Sequence, residues 1–196
     1  MEHRKKSKQM PTLKSNISRQ TYERYAFICL EMYRSAIRHK RLGYVSQKMF
    51  CYPRPKHAQK DKRGNRRHIA TILANNNEIL IAFRGTKYFG EWLRNFNFLP
   101  SKLESNTSKS PLVHSGFNSI LSANDPKYSE PLIDCLRKEI NVLLEKKSRP
   151  INLIGHSLGG ALAVLCSHRL GEKIWPKIAN VYTFGQPSVG FGQFLD

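Results

Sequence analysis

The feature that most constrains this chain is a serine held between two glycines, where an apolar strand pattern changes to a helical one. The segment reads Gly155-His156-Ser157-Leu158-Gly159. Before it, Pro150 is followed by four mostly apolar residues that predict a short buried strand, and after it small and apolar residues predict a buried helix. A G-x-S-x-G sequence in this strand–turn–helix context predicts a tight turn with Ser157 at its apex.

The spacing has a steric reason. Gly155 and Gly159 lie two residues either side of Ser157, where a Cβ would collide as the strand and the helix pass close together. Leu158 would open the helix, so its backbone N–H and the positive end of the helix dipole would face the serine hydroxyl. The pattern predicts a serine nucleophile beside a site for an oxyanion. The alternative is an accidental match to a short motif, and the flanking strand and helix argue against it.

Positive charge is concentrated in the first third of the chain. The formal net charge is +19, and residues 1–68 hold 19 of the 33 Lys and Arg but 4 of the 14 Asp and Glu. Such a segment binds an anionic membrane surface or nucleic acid, or is a solvated arm. No nucleic-acid recognition module is visible, so no specific nucleic-acid binding is expected. Residues 1–17 are predicted to be a disordered basic arm, and residues 18–196 a single domain.

The segment 1–13 lacks the apolar stretch of a secretory signal peptide, and no run is long enough to span a bilayer. We therefore expect a cytoplasmic protein that also associates peripherally with membranes. The four cysteines show neither C-x-x-C spacing nor a metal-ligand pattern, so neither a metal nor another cofactor is expected. Cys29, Cys135 and Cys166 fall on apolar helix faces and are predicted to be buried free thiols.

The remaining pattern alternates strands with long helices. Ser18 is a suitable N-cap for a helix that runs to about Ile37. Residues 39–67 are predicted to be an irregular, exposed insert, with His57 and His68 solvated in it or beside it. Residues 69–83 predict a β-hairpin turned by an Asn run, and residues 131–149 a helix. Together with a strand at residues 180–184, this alternation predicts an α/β protein with a largely parallel central sheet flanked by helices.

Several motifs then resemble one family. Residues 81–86 read Ile-Ala-Phe-Arg-Gly-Thr, residues 113–117 Val-His-Ser-Gly-Phe, residues 155–160 Gly-His-Ser-Leu-Gly-Gly, and residues 182–190 Tyr-Thr-Phe-Gly-Gln-Pro-Ser-Val-Gly. In this order they are similar to the motifs of the class 3 (fungal-type) lipases, which have the α/β-hydrolase fold. The chain departs from the family at Ser188, where Arg is usual.

The resemblance implies roles for individual residues. Ser157 would be the nucleophile, and the backbone N–H groups of Thr86 and Leu158 would be the oxyanion donors. Trp92 would belong to a lid over the site. By the same resemblance, the His156 side chain would point into the structure.

The resemblance also implies an acid and a base that this sequence does not display. In this fold the order is Ser, then Asp or Glu, then His. After Ser157 the histidine is His168, about 16 Å along the predicted helix, and the aspartate is Asp196, which resembles a non-catalytic family position. His114 and His156 remain as candidate bases. We therefore expect a truncated, C-terminally incomplete domain with impaired or no activity.

The sequence thus predicts a lipase- or esterase-like serine hydrolase acting on acylglycerol-type carboxylic esters. The alternative is a non-catalytic, lipase-like scaffold whose basic N-terminal third binds an anionic membrane or another acidic partner.

Overall fold

The structure is a computed structural model, and it describes residues 18–34, 37–53, 66–86, 99–103 and 111–191. Four α-helices are present in this part of the chain: α1 (Arg19–Glu31), α2 (Ser115–Ser122), α3 (Leu132–Lys146) and α4 (Leu158–Arg169). The strands are β1 (Ser46–Pro53), β2 (Arg66–Ala74), β3 (Ile79–Phe83), β4 (Pro100–Lys102), β5 (Leu112–His114), β6 (Ile151–His156), β7 (Ile178–Phe184) and β8 (Gly190–Phe191).

The central sheet has the order β1-β2-β3-β6-β7. The β1–β2 and β2–β3 pairs are antiparallel, whereas the β3–β6 and β6–β7 pairs are parallel. Four of these five strands therefore run in one direction and β2 runs against them. This confirms the predicted α/β fold with a mostly parallel sheet, and the predicted hairpin is the β2–β3 pair. The strands β4, β5 and β8 form a small separate antiparallel sheet.

Helices cover both faces of the central sheet. Alternate residues of β3 point to opposite sides: Ile79, Ile81 and Phe83 join the core beneath α2, α3 and α4, while Leu80 and Ala82 join the core beneath α1. All five β3 residues are buried, as expected for a strand covered on both faces. The carboxyl ends of the parallel strands β3 and β6 therefore lie at the same edge of the sheet. The Gly155–Gly159 segment lies there, and we name this edge the serine edge.

A buried carboxylate anchors α1 to the opposite edge of the sheet. Glu78, which is 7% exposed, accepts hydrogen bonds from the hydroxyls of Tyr25 (2.5 Å) and Tyr44 (2.8 Å) and from the Asn152 side-chain amide (2.8 Å). Arg24 lies 3.8 Å from the same carboxylate. A buried carboxylate is costly unless its hydrogen bonds are satisfied. These donors satisfy the Glu78 oxygens, which explains how Glu78 can lie buried beneath α1.

Two predictions about the first third of the chain need correction. Ser18 caps α1 as predicted, through a bond from the Thr21 N–H to its hydroxyl, but the helix ends at Glu31 rather than near Ile37. The predicted insert at residues 39–67 is wrong for its described part, which contains a 3₁₀ turn at His39–Leu42 and the strand β1. The polar start of β1 hid it from the sequence pattern, and Lys48 is accommodated by Glu139 of α3, 2.5 Å away.

The cysteines are free thiols, and Cys29, Cys135 and Cys166 are buried as predicted. Burial raises the pKa of Cys29 and of Cys166 to about 12, so both keep their protons at neutral pH. None of the helices in the described ranges combines the length and the apolarity needed to cross a bilayer. The predicted basic arm at residues 1–17 lies outside the described residues.

Candidate active site

Ser157 occupies a backbone conformation that side chains rarely adopt. Its φ is 55° and its ψ is −127°, and within the described chain it shares a positive φ with one other non-glycine residue, Ser129. The turn is fixed on both sides: the Ser157 N–H donates to the Phe184 carbonyl at 2.9 Å, and the Ser157 carbonyl accepts from the Gly160 N–H at 2.9 Å. Such strain is held only where surrounding bonds impose it, and here it places the serine between β6 and α4.

Two close approaches make the turn possible. A Cβ added at Gly155 would lie 2.1 Å from the backbone carbonyl of Gly159, so β6 and the first turn of α4 are in contact there. A Cβ added at Gly159 would lie 2.4 Å from the Phe83 carbonyl oxygen and 2.9 Å from the Arg84 carbonyl carbon. The predicted collision is therefore present at both glycines, and at Gly159 it involves the end of β3 rather than β6.

The two predicted oxyanion donors lie on the segments that meet at this turn. Leu158 is the first residue of α4, and within the described residues its backbone N–H has no hydrogen-bond acceptor. Thr86 is half-buried in the segment that follows β3. A Cβ added at Gly85 would lie 2.5 Å from the His156 carbonyl oxygen, so the backbone immediately before Thr86 touches the backbone immediately before Ser157.

The predicted orientation of His156 is wrong. Its side chain is exposed, and its Nδ1 lies 2.8 Å from the hydroxyl of Tyr33. Tyr33 lies two residues beyond the end of α1. Because 123 positions separate the two residues, local periodicity contains no signal for the pair.

The other histidines after residue 100 are engaged elsewhere. His114 is buried and meets the rings of Phe117 and Phe191 edge to face, with centroids 5.8 and 4.4 Å away. His168 lies on α4, and burial lowers the pKa of its imidazole. Within the described residues no histidine is hydrogen-bonded to the Ser157 hydroxyl.

His68 was expected to be solvated, and the structure contradicts this. It lies at the start of β2, where Nε2 is 2.5 Å from the Thr71 hydroxyl and the Nδ1 atom is buried. Burial, with a smaller contribution from the positive charge of Arg84, lowers its pKa to about 4. At neutral pH His68 is therefore an uncharged, partly buried imidazole at the edge of the sheet where Ser157 lies.

Trp92, the predicted lid residue, lies outside the described residues. Among the residues that the structure places, no group of three or more His, Cys, Asp or Glu side chains could hold a metal ion.

Comparisons with known proteins agree with this geometry. A family model described as Lipase (class 3) matches residues 80–195, a range that contains the segment after β3 and the whole serine turn. Phospholipase A1-IIbeta from Arabidopsis thaliana is 30% identical over 139 residues, which cover 59% of this chain and 33% of that protein. The chain therefore spans about a third of the length of this curated relative.

Two solved structures share the fold. The triacylglyceride lipase of Rhizomucor miehei superposes with a TM-score of 0.62 at 21% identity, covering 91% of this chain and 66% of that one. A triacylglycerol lipase whose catalytic centre is formed by a serine protease triad gives a TM-score of 0.62 at 20% identity, covering 89% and 64%.

The contact at Gly159 predicts a large effect of one methyl group. Gly159→Ala is expected to lower the free energy of unfolding by about 3 kcal/mol, because the new Cβ meets rigid backbone at the end of β3. Gly171→Ala is the matched control: its φ is +89° but nothing lies within 4 Å of an added Cβ, so about 1–2 kcal/mol is expected. Urea denaturation measures both, and equal losses would contradict the contact.

The buried state of His68 predicts a pH dependence of stability. Its pKa in the folded chain, about 4, lies below the unfolded value of about 6.5. The unfolded chain therefore binds the extra proton between these pH values, and stability falls as pH falls through this window. Between pH 7 and pH 4.5 the wild type should lose about 2 kcal/mol more than His68→Asn in urea denaturation. An identical loss in both proteins would show that His68 titrates normally.

Proposed function

Because the chain belongs to the class 3 lipase family, we propose that it is a serine hydrolase acting on carboxylic esters of lipids, of the acylglycerol type. The observation that carries this proposal is the strained Ser157 at the junction of β6, α4 and the segment after β3. The curated relative is named a phospholipase A1 and the solved neighbours are lipases. Their shared chemistry is attack on an ester carbonyl.

The proposed reaction uses three groups of this chain. The Ser157 hydroxyl oxygen forms a bond to the ester carbonyl carbon as the carbonyl π bond breaks, and the hydroxyl proton passes to water, since within the described residues no histidine is hydrogen-bonded to it. The carbonyl oxygen becomes an oxyanion, which the N–H groups of Thr86 and Leu158 stabilise, and each such donor is worth about 2.7–4 kcal/mol in the transition state. Collapse of this intermediate expels the alcohol with a proton and leaves an acylated Ser157, which water then hydrolyses.

We further propose that the 196-residue form hydrolyses esters slowly. The His156 ring is bonded to Tyr33, the His114 ring is packed against two phenylalanines, and among the described residues neither is hydrogen-bonded to the Ser157 hydroxyl. Without an adjacent base a serine hydroxyl is a weak nucleophile.

A lipid surface is the proposed partner, and one described region supports it. Four cations that follow α1, two of them within the 3₁₀ turn, form what we name the α1 cationic surface: Arg34, Arg38, Lys40 and Arg41. All four are exposed; Arg34 pairs with Glu31, and the other three have no carboxylate partner within the described residues. On the outer side of α1, Phe27 and Leu30 are 51% and 62% exposed. Exposed apolar side chains on α1, and exposed cations that have no carboxylate partner in the described part of the chain, both suit an anionic bilayer.

This surface also supports the second candidate, a scaffold that binds an anionic membrane without catalysis. The two candidates differ in whether Ser157 reacts, so they are tested separately. In both, the protein is proposed to be cytoplasmic and peripherally attached to membranes, and residues 1–17 are proposed to add positive charge as an arm.

Ester turnover tests the catalytic proposal. With a short-chain p-nitrophenyl ester, the wild type is expected to show a kcat below about 1 s⁻¹, the low end for enzymes, and Ser157→Ala is expected to lower it at least tenfold. Ser167→Ala is the matched control, because it removes a hydroxyl from the same helix that bonds only the Val164 carbonyl. A wild-type rate equal to that of Ser157→Ala would leave the scaffold as the better account.

Vesicle co-sedimentation tests the membrane proposal. The triple variant Arg38→Glu, Lys40→Glu, Arg41→Glu is expected to bind vesicles of phosphatidylcholine and phosphatidylserine at least about 100-fold more weakly, since each cation contributes about 1 kcal/mol near an anionic surface. The control Lys146→Glu, Lys147→Glu, Lys173→Glu changes the net charge equally at exposed positions elsewhere. Equal binding by the two variants would contradict a role for the α1 cationic surface.

A further inference from the structure

Tyr33 connects helix α1 to the strand that carries the serine. It follows α1 by two residues, and its hydroxyl lies 2.8 Å from Nδ1 of His156, the residue before Ser157. The two rings meet edge to face with centroids 5.9 Å apart. Burial raises the pKa of the Tyr33 phenol, so the hydroxyl keeps its proton at neutral pH and can donate it to an unprotonated Nδ1.

The same hydroxyl also rests on the segment that carries the proposed oxyanion donor. A Cβ added at Gly85 would lie 2.2 Å from the Tyr33 hydroxyl oxygen and 3.2 Å from its Cζ. The phenol therefore occupies the space directly above the Gly85 Cα, one residue before Thr86. Since the Gly85 backbone also touches the His156 carbonyl, Tyr33, Gly85 and His156 are in mutual contact.

Arg84 holds Tyr33 in this place. Its guanidinium carbon is 5.9 Å from the centre of the Tyr33 ring, and its Nη2 donates to the Tyr33 carbonyl at 3.5 Å. Arg84 therefore contacts the ring and the carbonyl of Tyr33, and the Tyr33 hydroxyl contacts Gly85, the residue after Arg84. Two contacts thus connect Tyr33 to the segment after β3.

We infer that Tyr33 is a positioning residue, whose hydroxyl fixes the Thr86 N–H relative to Ser157 by bonding His156 and bearing on Gly85. The inference rests on the proposed function. Oxyanion donors act within a narrow range of about 2.7–3.1 Å, and a displacement of about 1 Å can cost about 100-fold in rate. A contact that sets the distance between the segment after β3 and the turn that contains Ser157 therefore changes the rate of the chemical step rather than the binding affinity.

Tyr25 offers a matched control. It is a tyrosine of α1 with a bonded hydroxyl, but its partner is Glu78 at the other edge of the sheet. Tyr25→Phe and Tyr33→Phe remove the same atom, one from α1 and the other from the residues that follow it. Only the second removes it from the serine edge.

The experiment is the rate of reaction with a short-chain alkyl fluorophosphonate, followed by intact mass on the full 196-residue chain. Varying the probe concentration separates its binding constant KI from the rate of bond formation kinact. Tyr33→Phe is expected to lower kinact about 10- to 100-fold with KI changed less than twofold. Tyr25→Phe is expected to lower the thermal midpoint and to leave kinact within about twofold of the wild type.

A second variant covers the case in which Tyr33→Phe does not fold. Arg84→Met removes the cation from the Tyr33 ring and the bond to its carbonyl, and it is expected to lower kinact roughly threefold, the size of an exposed cation–π contact.

The outcomes separate the inference from the proposed function. If the wild type reacts and Tyr33→Phe reacts with the same kinact, Tyr33 has no positioning role although Ser157 is a nucleophile. If Tyr25→Phe loses kinact as Tyr33→Phe does, the loss reflects general loosening of α1 and the inference is wrong. If the folded wild type does not react at all, the proposed function fails and the inference falls with it.

Discussion

The close contact between the first turn of α4 and the end of β3 is the constraint on which the serine edge depends. Gly159 lies so near the Phe83 carbonyl that no side chain fits between them. This contact brings the end of β3 against the turn that contains Ser157, while the parallel β3–β6 pairing sets the two strands side by side. The strained Ser157 conformation is the geometric result, because the chain must leave β6 and enter α4 within one residue.

The two faces of the sheet contribute differently to this edge. On the face of α2, α3 and α4, an apolar core supports α4 from below. On the α1 face, polar contacts fix the helix at its middle and just beyond its C-terminal end: Tyr25 bonds the Glu78 carboxylate at one edge of the sheet, and Tyr33 bonds His156 at the other. Because hydrogen bonds are directional, these contacts define the position of α1 more closely than apolar packing alone. The α1 face is thus a support for the site as well as a cover for the sheet.

Features that depend on local sequence could be predicted, and features that depend on distant pairs could not. The strand–turn–helix around Ser157, the Ser18 cap and the Asn-turned hairpin each follow from residues within a few positions of one another. The strand β1 could not be predicted in this way. Lys48 lies in its middle and is paired with Glu139, which is 91 positions away in sequence. His68 was assigned to solvent because its sequence neighbours are basic, whereas its burial is set by the β1 and β2 pairing. The contacts of Tyr25 with Glu78 and of Tyr33 with His156 also join residues far apart in sequence, so the local sequence contains no signal for them.

The central claim is that this fold presents Ser157 beside an oxyanion site, so that its hydroxyl reacts with an electrophile, although slowly, without a hydrogen-bonded histidine. Its most direct test is peptide mapping by mass spectrometry after reaction of the folded chain with a fluorophosphonate, beside the Ser157→Ala variant. Our account predicts one adduct on the wild type, located on Ser157, and none on the variant. An adduct on another serine, or none on a wild type that circular dichroism shows to be folded, would contradict it.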